Sequence, residues 1–221
     1  MRLYLASTSP ARLATLRAAG IEPVVVPSEV DEDAVAAAVE RESGPLSPAA
    51  YVQLLARAKA EAITGSLVGG QPIDGLVLGG DSAFELDGIV YGKPHRPEVA
   101  RERWLRQRGR SGRLHSGHWL IDRRGGASAT DPSPAAGAAS SAVVHFAPDI
   151  ADAEIDAYIA TGEPLRVAGA FTIDGLGGAF VTGVEGDPHT VVGLSVPLLR
   201  TLTGQLGVPW TSLWNRDRST P

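Results

Sequence analysis

Short apolar runs alternate with amphipathic stretches along almost the whole chain, and this alternation narrows the fold more than any other feature. Runs of strand character fall at residues 2–6, 23–27, 75–80, 88–92, 114–122, 141–147 and 178–184. Between them, apolar residues recur at helical spacing over 10–19, 33–42, 47–64, 97–108, 151–161 and 196–206. Such alternation predicts an α/β fold, a twisted sheet with flanking helices. "ELDGIV" sets Asp87 and Gly88 in a two-residue turn, which adds an antiparallel hairpin, so the sheet is expected to be mixed. The stretch "RRGGASATDPSPAAGAASS" (123–141) is small, polar and rich in Pro and Gly and joins two strands; it reads as a long flexible hairpin loop. With 221 residues, 43% of them hydrophobic, there is enough apolar material for one substantial core, read as a single bilobed domain over 1–214 with a frayed tail at 215–221.

Charge and composition exclude several functions. A net charge of −5 argues against a dedicated nucleic-acid binder, which needs a basic face to replace phosphate counterions. A small anionic ligand needs only a few local cations and stays open. The absence of cysteine removes disulfides, thiolate zinc sites and cysteine nucleophiles and fits a reducing compartment. No uncharged apolar run approaches the roughly 20 residues that span a bilayer, and the apolar part of "MRLYLASTSP" is too short for a signal peptide. The expected setting is cytoplasmic, with no membrane partner.

Five places carry charge where chemistry could use it. In "LYLASTSPARLATLRAAG", Ser9 can cap a helix that begins at Pro10 and ends by Gly20, which turns a row of free amides toward the carboxyl edge of the sheet. Ser7, Ser9 and Arg12 then add hydroxyls and a forked cation to an anion site; an ordinary cap with a solvated arginine is the plainer alternative. In helix 47–64, Lys59 falls about 40° from Leu55 at about 100° per residue, inside the apolar face, and so needs an anion or a wet cleft unless its stem snorkels outward. In "LVLGGDSAF" a strand ends in two glycines and Asp81, at the strand end where open α/β sheets bind ligands. Lys93 in "YGKPHRP" sits between Gly92 and Pro94 on a stiff backbone that can aim a point charge. "SEVDED" supplies Glu29, Asp31, Glu32 and Asp33, a solvated helix start or, with Asp81, the source of a shared magnesium or manganese ligand.

Rival motifs fail. "GIVYGKP" is one residue short of a phosphate-binding Walker loop and has proline at its hydroxyl position. "GLSVP" around Ser195 lacks the second glycine of a nucleophile elbow, and no histidine follows it. His115 and His118 point to opposite faces of a strand, and both read as structural.

"LASTSPAR", "VDE", "LARAKA", "GGDSAF", "GKP", "RSGRLHSGH", "EPLRVAGAFTIDGLGG" and "GDPHTVVGLSVPLL" resemble, in order from residue 5 to about 199, the successive motifs of the Maf family of nucleoside triphosphate pyrophosphatases. The resemblance implies a bilobed α/β fold related to inosine triphosphate pyrophosphatases, with a cleft between the lobes. It implies hydrolysis of nucleoside triphosphates to the monophosphate and pyrophosphate with a divalent cation, Mg2+ or Mn2+, in nucleotide-pool sanitising. Family members are often homodimers, and a link to septum formation makes a non-catalytic nucleotide-binding regulator of division the alternative.

By the same resemblance Ser7 and Arg12 match phosphate contacts, Glu32 and Asp81 the acidic pair that holds metal and activates water, and Lys59 and Lys93 the cleft lysines. Three positions depart from the pattern. Ala11 stands where the family's first motif has a basic residue or tryptophan. Ser82 stands where one branch has threonine and another glutamine, and Asp174 where the pyrimidine branch has glutamine. An ionised carboxylate at 174 only accepts hydrogen bonds, so weak discrimination among bases is expected.

Overall fold

The computed structural model describes residues 1–125 and 133–215. The chain opens with β1 (Leu3–Ala6), α1 (Pro10–Ala18), β2 (Val24–Val25), α2 (Glu32–Ser43) and α3 (Pro48–Ala62). A small hairpin, β3 (Leu67–Val68) and β4 (Gln71–Pro72), precedes the long β5 (Leu76–Leu86) and the short β6 (Ile89–Tyr91). Then come α4 (Pro97–Gln107), β7 (Ser111–Asp122), β8 (Ala135–Phe146) and α5 (Asp152–Ala160). Three 3-10 turns follow, Glu163–Arg166, Ala168–Ala170 and Leu176–Phe180. The chain closes with β9 (Val181–Glu185), α6 (Pro188–Val192), α7 (Val196–Gln205) and a last 3-10 turn, Trp210–Leu213.

The main sheet runs β2-β1-β5-β7-β8-β9, with β6 beside the far end of β5. β1 is parallel to β2 and β5, and the other pairs are antiparallel, so the sheet is mixed as the alternation of elements and the Asp87–Gly88 turn required. That turn has positive φ at both residues, 55° and 75°, the twist that matches a right-handed hairpin.

Three strands run through two of the three hydrophobic clusters of the core. At one end β5, β7 and β8 give Phe84, Leu86, Leu114, Ala142, Val144 and Phe146 to a cluster filled by Trp104, Tyr158 and Phe171. At the other end the same strands give Leu76, Leu78, Leu120 and Ala136 to a cluster with Leu3, Leu5 and Leu199. The first cluster is aromatic and packs edge to face; Trp104 contacts Phe146, Tyr158 and Phe180 at centroid distances of 5.5–5.6 Å, each such pair contributing about 1 kcal/mol beyond area burial. Trp104 Nε1 also donates to the Ala170 carbonyl at 2.8 Å, so this buried indole leaves no donor unmet.

Three expectations change. Asp81 does not leave the end of a strand: β5 runs on through it to Leu86, and the two preceding glycines serve packing. The hairpin connection is shorter than 123–141, because Ala135–Ser141 already pairs with β7; residues 126–132 of it lie outside the described residues. Of the small residues that gave it a loop-like composition, Ala136 is buried and Gly137 lies where a side chain would run into Trp119 and Gln53. The tail is fixed as far as Asn215. Its amide exchanges two hydrogen bonds with the Glu22 backbone, at 2.7 and 3.1 Å, and its N–H donates to the Gly20 carbonyl. Residues 216–221 lie outside the described residues.

Candidate active site

On the edge facing away from β7, β5 pairs with β1 up to Gly79 and with β6 from Phe84 onward. Residues 80–83 therefore face a notch between β1 and β6, and a cavity of about 550 Å³ opens there, a size typical of small-molecule sites. Asp81, Ser82 and Ala83 form its floor. Glu32, Asp33, Glu40 and Tyr51 come from α2 and α3, and Val90, Gly92, Lys93, His95 and Ala168 close the far side.

Successive side chains on β5 point to opposite faces of the sheet. The odd face meets α3. A Cβ on Gly79 or Gly117 would strike the α3 backbone at Ala56 or Val52, so these glycines let the helix sit directly on the strands. That approach brings Lys59 down to Asp81. Lys59 and Asp81 are 8% and 7% exposed, and Nζ lies 2.6 Å from Asp81 Oδ1 and 2.8 Å from Glu32 Oε1. Glu32 is the first residue of α2, whose cap is Asp31, accepting from the Ala34 N–H. Burial pushes the Asp81 carboxyl above its ordinary value; Lys59 and Arg12 draw it back, and the Glu32 charge adds to the rise. Tyr51 is raised by burial and then by the nearby carboxylates, a mark of the negative field on this wall.

The even face meets α1. Ser9 caps that helix by accepting from the Arg12 N–H, Pro10 occupies its first turn, and Gly20 follows its end with φ 86°. Arg12 is buried and donates to three oxygens: the Gly193 carbonyl from Nε at 2.9 Å, Ser7 Oγ from Nη1 at 3.1 Å, and Ser82 Oγ from Nη2 at 2.8 Å. Burial lowers its affinity for the proton while Asp81 and Glu32 restore part of it, and a guanidinium stays charged in any case.

Lys93 lines the cavity from an anchored loop. Arg103 Nη1 donates to the Gly92 carbonyl at 2.5 Å, and the His95 N–H donates to the Leu165 carbonyl at 3.0 Å. The loop holds His95 at a positive φ of 59°.

Glu32, Asp81, Ser82 and Lys93 thus border one cavity, with Lys59 bonded to the first two from below and Arg12 and Ser7 joined to it through Ser82. Ser9 lies one hydrogen bond further back, its N–H donating to Ser7 Oγ. Asp174 is exposed, ahead of the Leu176–Phe180 turn, and is not part of the cavity wall. Both histidines of β7 are structural as expected. His115 bridges Glu85 and Ser141, and buried His118 accepts from the Ser195 N–H at Nε2. Sequence reasoning missed Tyr51, Glu40 and His95 as wall residues and Ser116 as the partner of Ser82. The helical face that exposed Lys59 also carries Tyr51, whereas Ser116 becomes visible only from the pairing of β5 with β7.

A family model described as Maf-like protein matches residues 2–206. A protein of Leifsonia xyli subsp. xyli (strain CTCB07) is 71% identical over 98% of both chains, and its name is nucleoside triphosphate pyrophosphatase. Proteins of the same name from Nocardia farcinica (strain IFM 10152) and Salinispora tropica (strain ATCC BAA-916) are each 52% identical, the first over 96% of both chains, the second over 100% of this chain and 90% of its own. With the family pattern matched from one end of the sheet to the other, this chain belongs to the Maf-like protein family.

Proposed function

We propose that this chain is a nucleoside triphosphate pyrophosphatase, which splits the bond between the α- and β-phosphates to give a nucleoside monophosphate and pyrophosphate. The observation that carries this reading is the Glu32–Lys59–Asp81 bridge on the wall of a cavity large enough for a nucleotide. Water replaces pyrophosphate at the α-phosphorus and gives its proton to Asp81, whose raised pKa makes it a better base than an exposed carboxylate. Lys59 and Lys93 stabilise the charge that grows on the departing pyrophosphate, and Arg12 with Ser7 holds the phosphates. Tyr51, Leu46 and Val90 give an apolar wall for the nucleoside.

The wall carries Glu32, Asp33, Glu40 and Asp81, and such a field would repel a triphosphate unless cations offset it. Glu32 and Asp81 bond Lys59 through one oxygen each, and their hard oxygens suit Mg2+ or Mn2+, which bind through one or two carboxylates plus substrate phosphates. Among the described residues no three acidic or histidine side chains converge closely enough to hold a metal ion by themselves, and this mode of binding needs no such group. When bound, the cation would neutralise phosphate charge and lower the pKa of a water. No helix among the described residues is long and apolar enough to cross a membrane. A cytoplasmic nucleotide pool is the setting that the cysteine-free composition favours.

The test is steady-state assay of a panel of nucleoside triphosphates with magnesium or manganese. Equal molar yields of monophosphate and pyrophosphate are expected. Release of orthophosphate with diphosphate, or no turnover of any nucleotide, would overturn the assignment.

A further inference from the structure

Behind Asp81, on the other face of β5, runs a chain of hydroxyls whose direction can be counted. Arg12 Nη2 lies 2.8 Å from Ser82 Oγ, Ser82 Oγ 3.0 Å from Ser116 Oγ, and Ser116 Oγ 2.9 Å from the Thr190 carbonyl oxygen. A guanidinium only donates and a carbonyl only accepts. The single proton of Ser116 therefore goes to Thr190, and the proton of Ser82 must go to Ser116. Ser82 then accepts from Arg12 and keeps one lone pair, with no proton left for anything in the cavity it lines. Ser116 and Thr190 are 0% exposed, so bulk water does not take the place of Ser116 between Ser82 and the Thr190 carbonyl.

We infer that Ser116 is a positioning residue: by giving its proton to Thr190 it leaves its own oxygen to take the Ser82 proton, so that the Ser82 oxygen faces Arg12 as an acceptor and fixes the guanidinium behind the cavity floor that Ser82 lines. This rests on the proposed phosphate role of Arg12. Ser82 is excluded as a donor to phosphate and receives instead a donor group of the bound molecule or a water. Strand register brings the relay together, because Ser82 and Ser116 are direct cross-strand partners. The relay also ties the floor of the cavity to α6, which holds Thr190.

The experiment compares wild type with Ser116→Ala, Ser82→Ala and the double variant, by kcat/KM for nucleoside triphosphate hydrolysis. Ser116→Ala is expected to lower kcat/KM about tenfold, and the double variant to match Ser82→Ala within about twofold, because one acts through the other. Losses that multiply, or an unchanged Ser116→Ala enzyme, overturn the inference. Ser116→Cys keeps a weak donor and should recover part of the loss. Exchange of the Arg12 Nη2 protons, followed by NMR, needs no turnover: it should speed up at least tenfold in Ser116→Ala while neighbouring strand amides keep their protection. Unchanged Arg12 exchange overturns the inference even if wild type hydrolyses no nucleotide, a result that would by itself sink only the proposed activity.

Discussion

Lys59 Nζ lies 2.6 Å from Asp81 Oδ1, and both side chains are almost wholly buried. The same ammonium reaches Glu32, so one cation joins the floor of the cavity to the first turn of α2. A buried carboxylate is costly without such a partner, and a buried lysine equally so. The pair therefore sets both the stability of this wall and the basicity of Asp81.

Asp81→Asn keeps the volume and removes the base. Turnover should fall about 100-fold or more while the nucleotide still binds. In wild type, kcat/KM should fall as pH drops through the pKa of Asp81, at a pH above that of an ordinary aspartate, since burial raises it. A variant with wild-type turnover would remove Asp81 from the chemistry.

Lys59→Met retains a similar stem but leaves Asp81 buried without its cation. Near pH 7 the variant should fold yet lose on the order of 3 kcal/mol, together with most of its activity. Its Asp81 pKa moves further above the unfolded value, so native protein binds the proton more readily and the deficit should shrink as pH falls. Urea unfolding at pH 5 and pH 8 checks this; an equal deficit at both would mean that Asp81 does not feel the loss.

His118 is neutral in the folded protein, its pKa lowered to about 4 by burial and then by the Arg12 charge. Unfolded chains take up the proton from about pH 6.5 downward, so stability should decline from there to about pH 4, by roughly 3 kcal/mol in all. His118→Gln offers an oxygen to the Ser195 N–H and should flatten that decline. Parallel pH profiles for variant and wild type would assign the acid loss elsewhere.

Asn215→Ala breaks the paired bonds to Glu22. Partly exposed hydrogen bonds of this kind contribute about 1 kcal/mol together, so the melting temperature should drop by a few degrees with kcat unchanged. A changed kcat would show that the latch reaches the cavity.

The helical spacing around Leu55 was enough to place Lys59 inside an apolar face, and the need for an anion followed from burial alone. Gly79 and Gly80 misled because paired glycines ordinarily punctuate a strand. Here Gly79 admits α3 at close range, and the strand runs on. The start of β8 was hidden in a related way: alanine, glycine and serine look like loop, and at Gly137 the missing side chain makes room for Trp119 and Gln53. Ser116 was out of reach for another reason. Its role depends on a cross-strand register and on a carbonyl 74 residues away, neither of which any local spacing encodes.

Because β5, β7 and β8 pass without interruption from one hydrophobic cluster to the other, the two halves of the molecule have no hinge loop in common among these strands. Any motion of one cluster against the other must bend a triple ribbon cross-linked along its length, a stiff spring compared with a linker. Entry and exit of ligand then fall to the rim, the Lys93 loop and the first turn of α2, while the floor keeps its shape through each turnover.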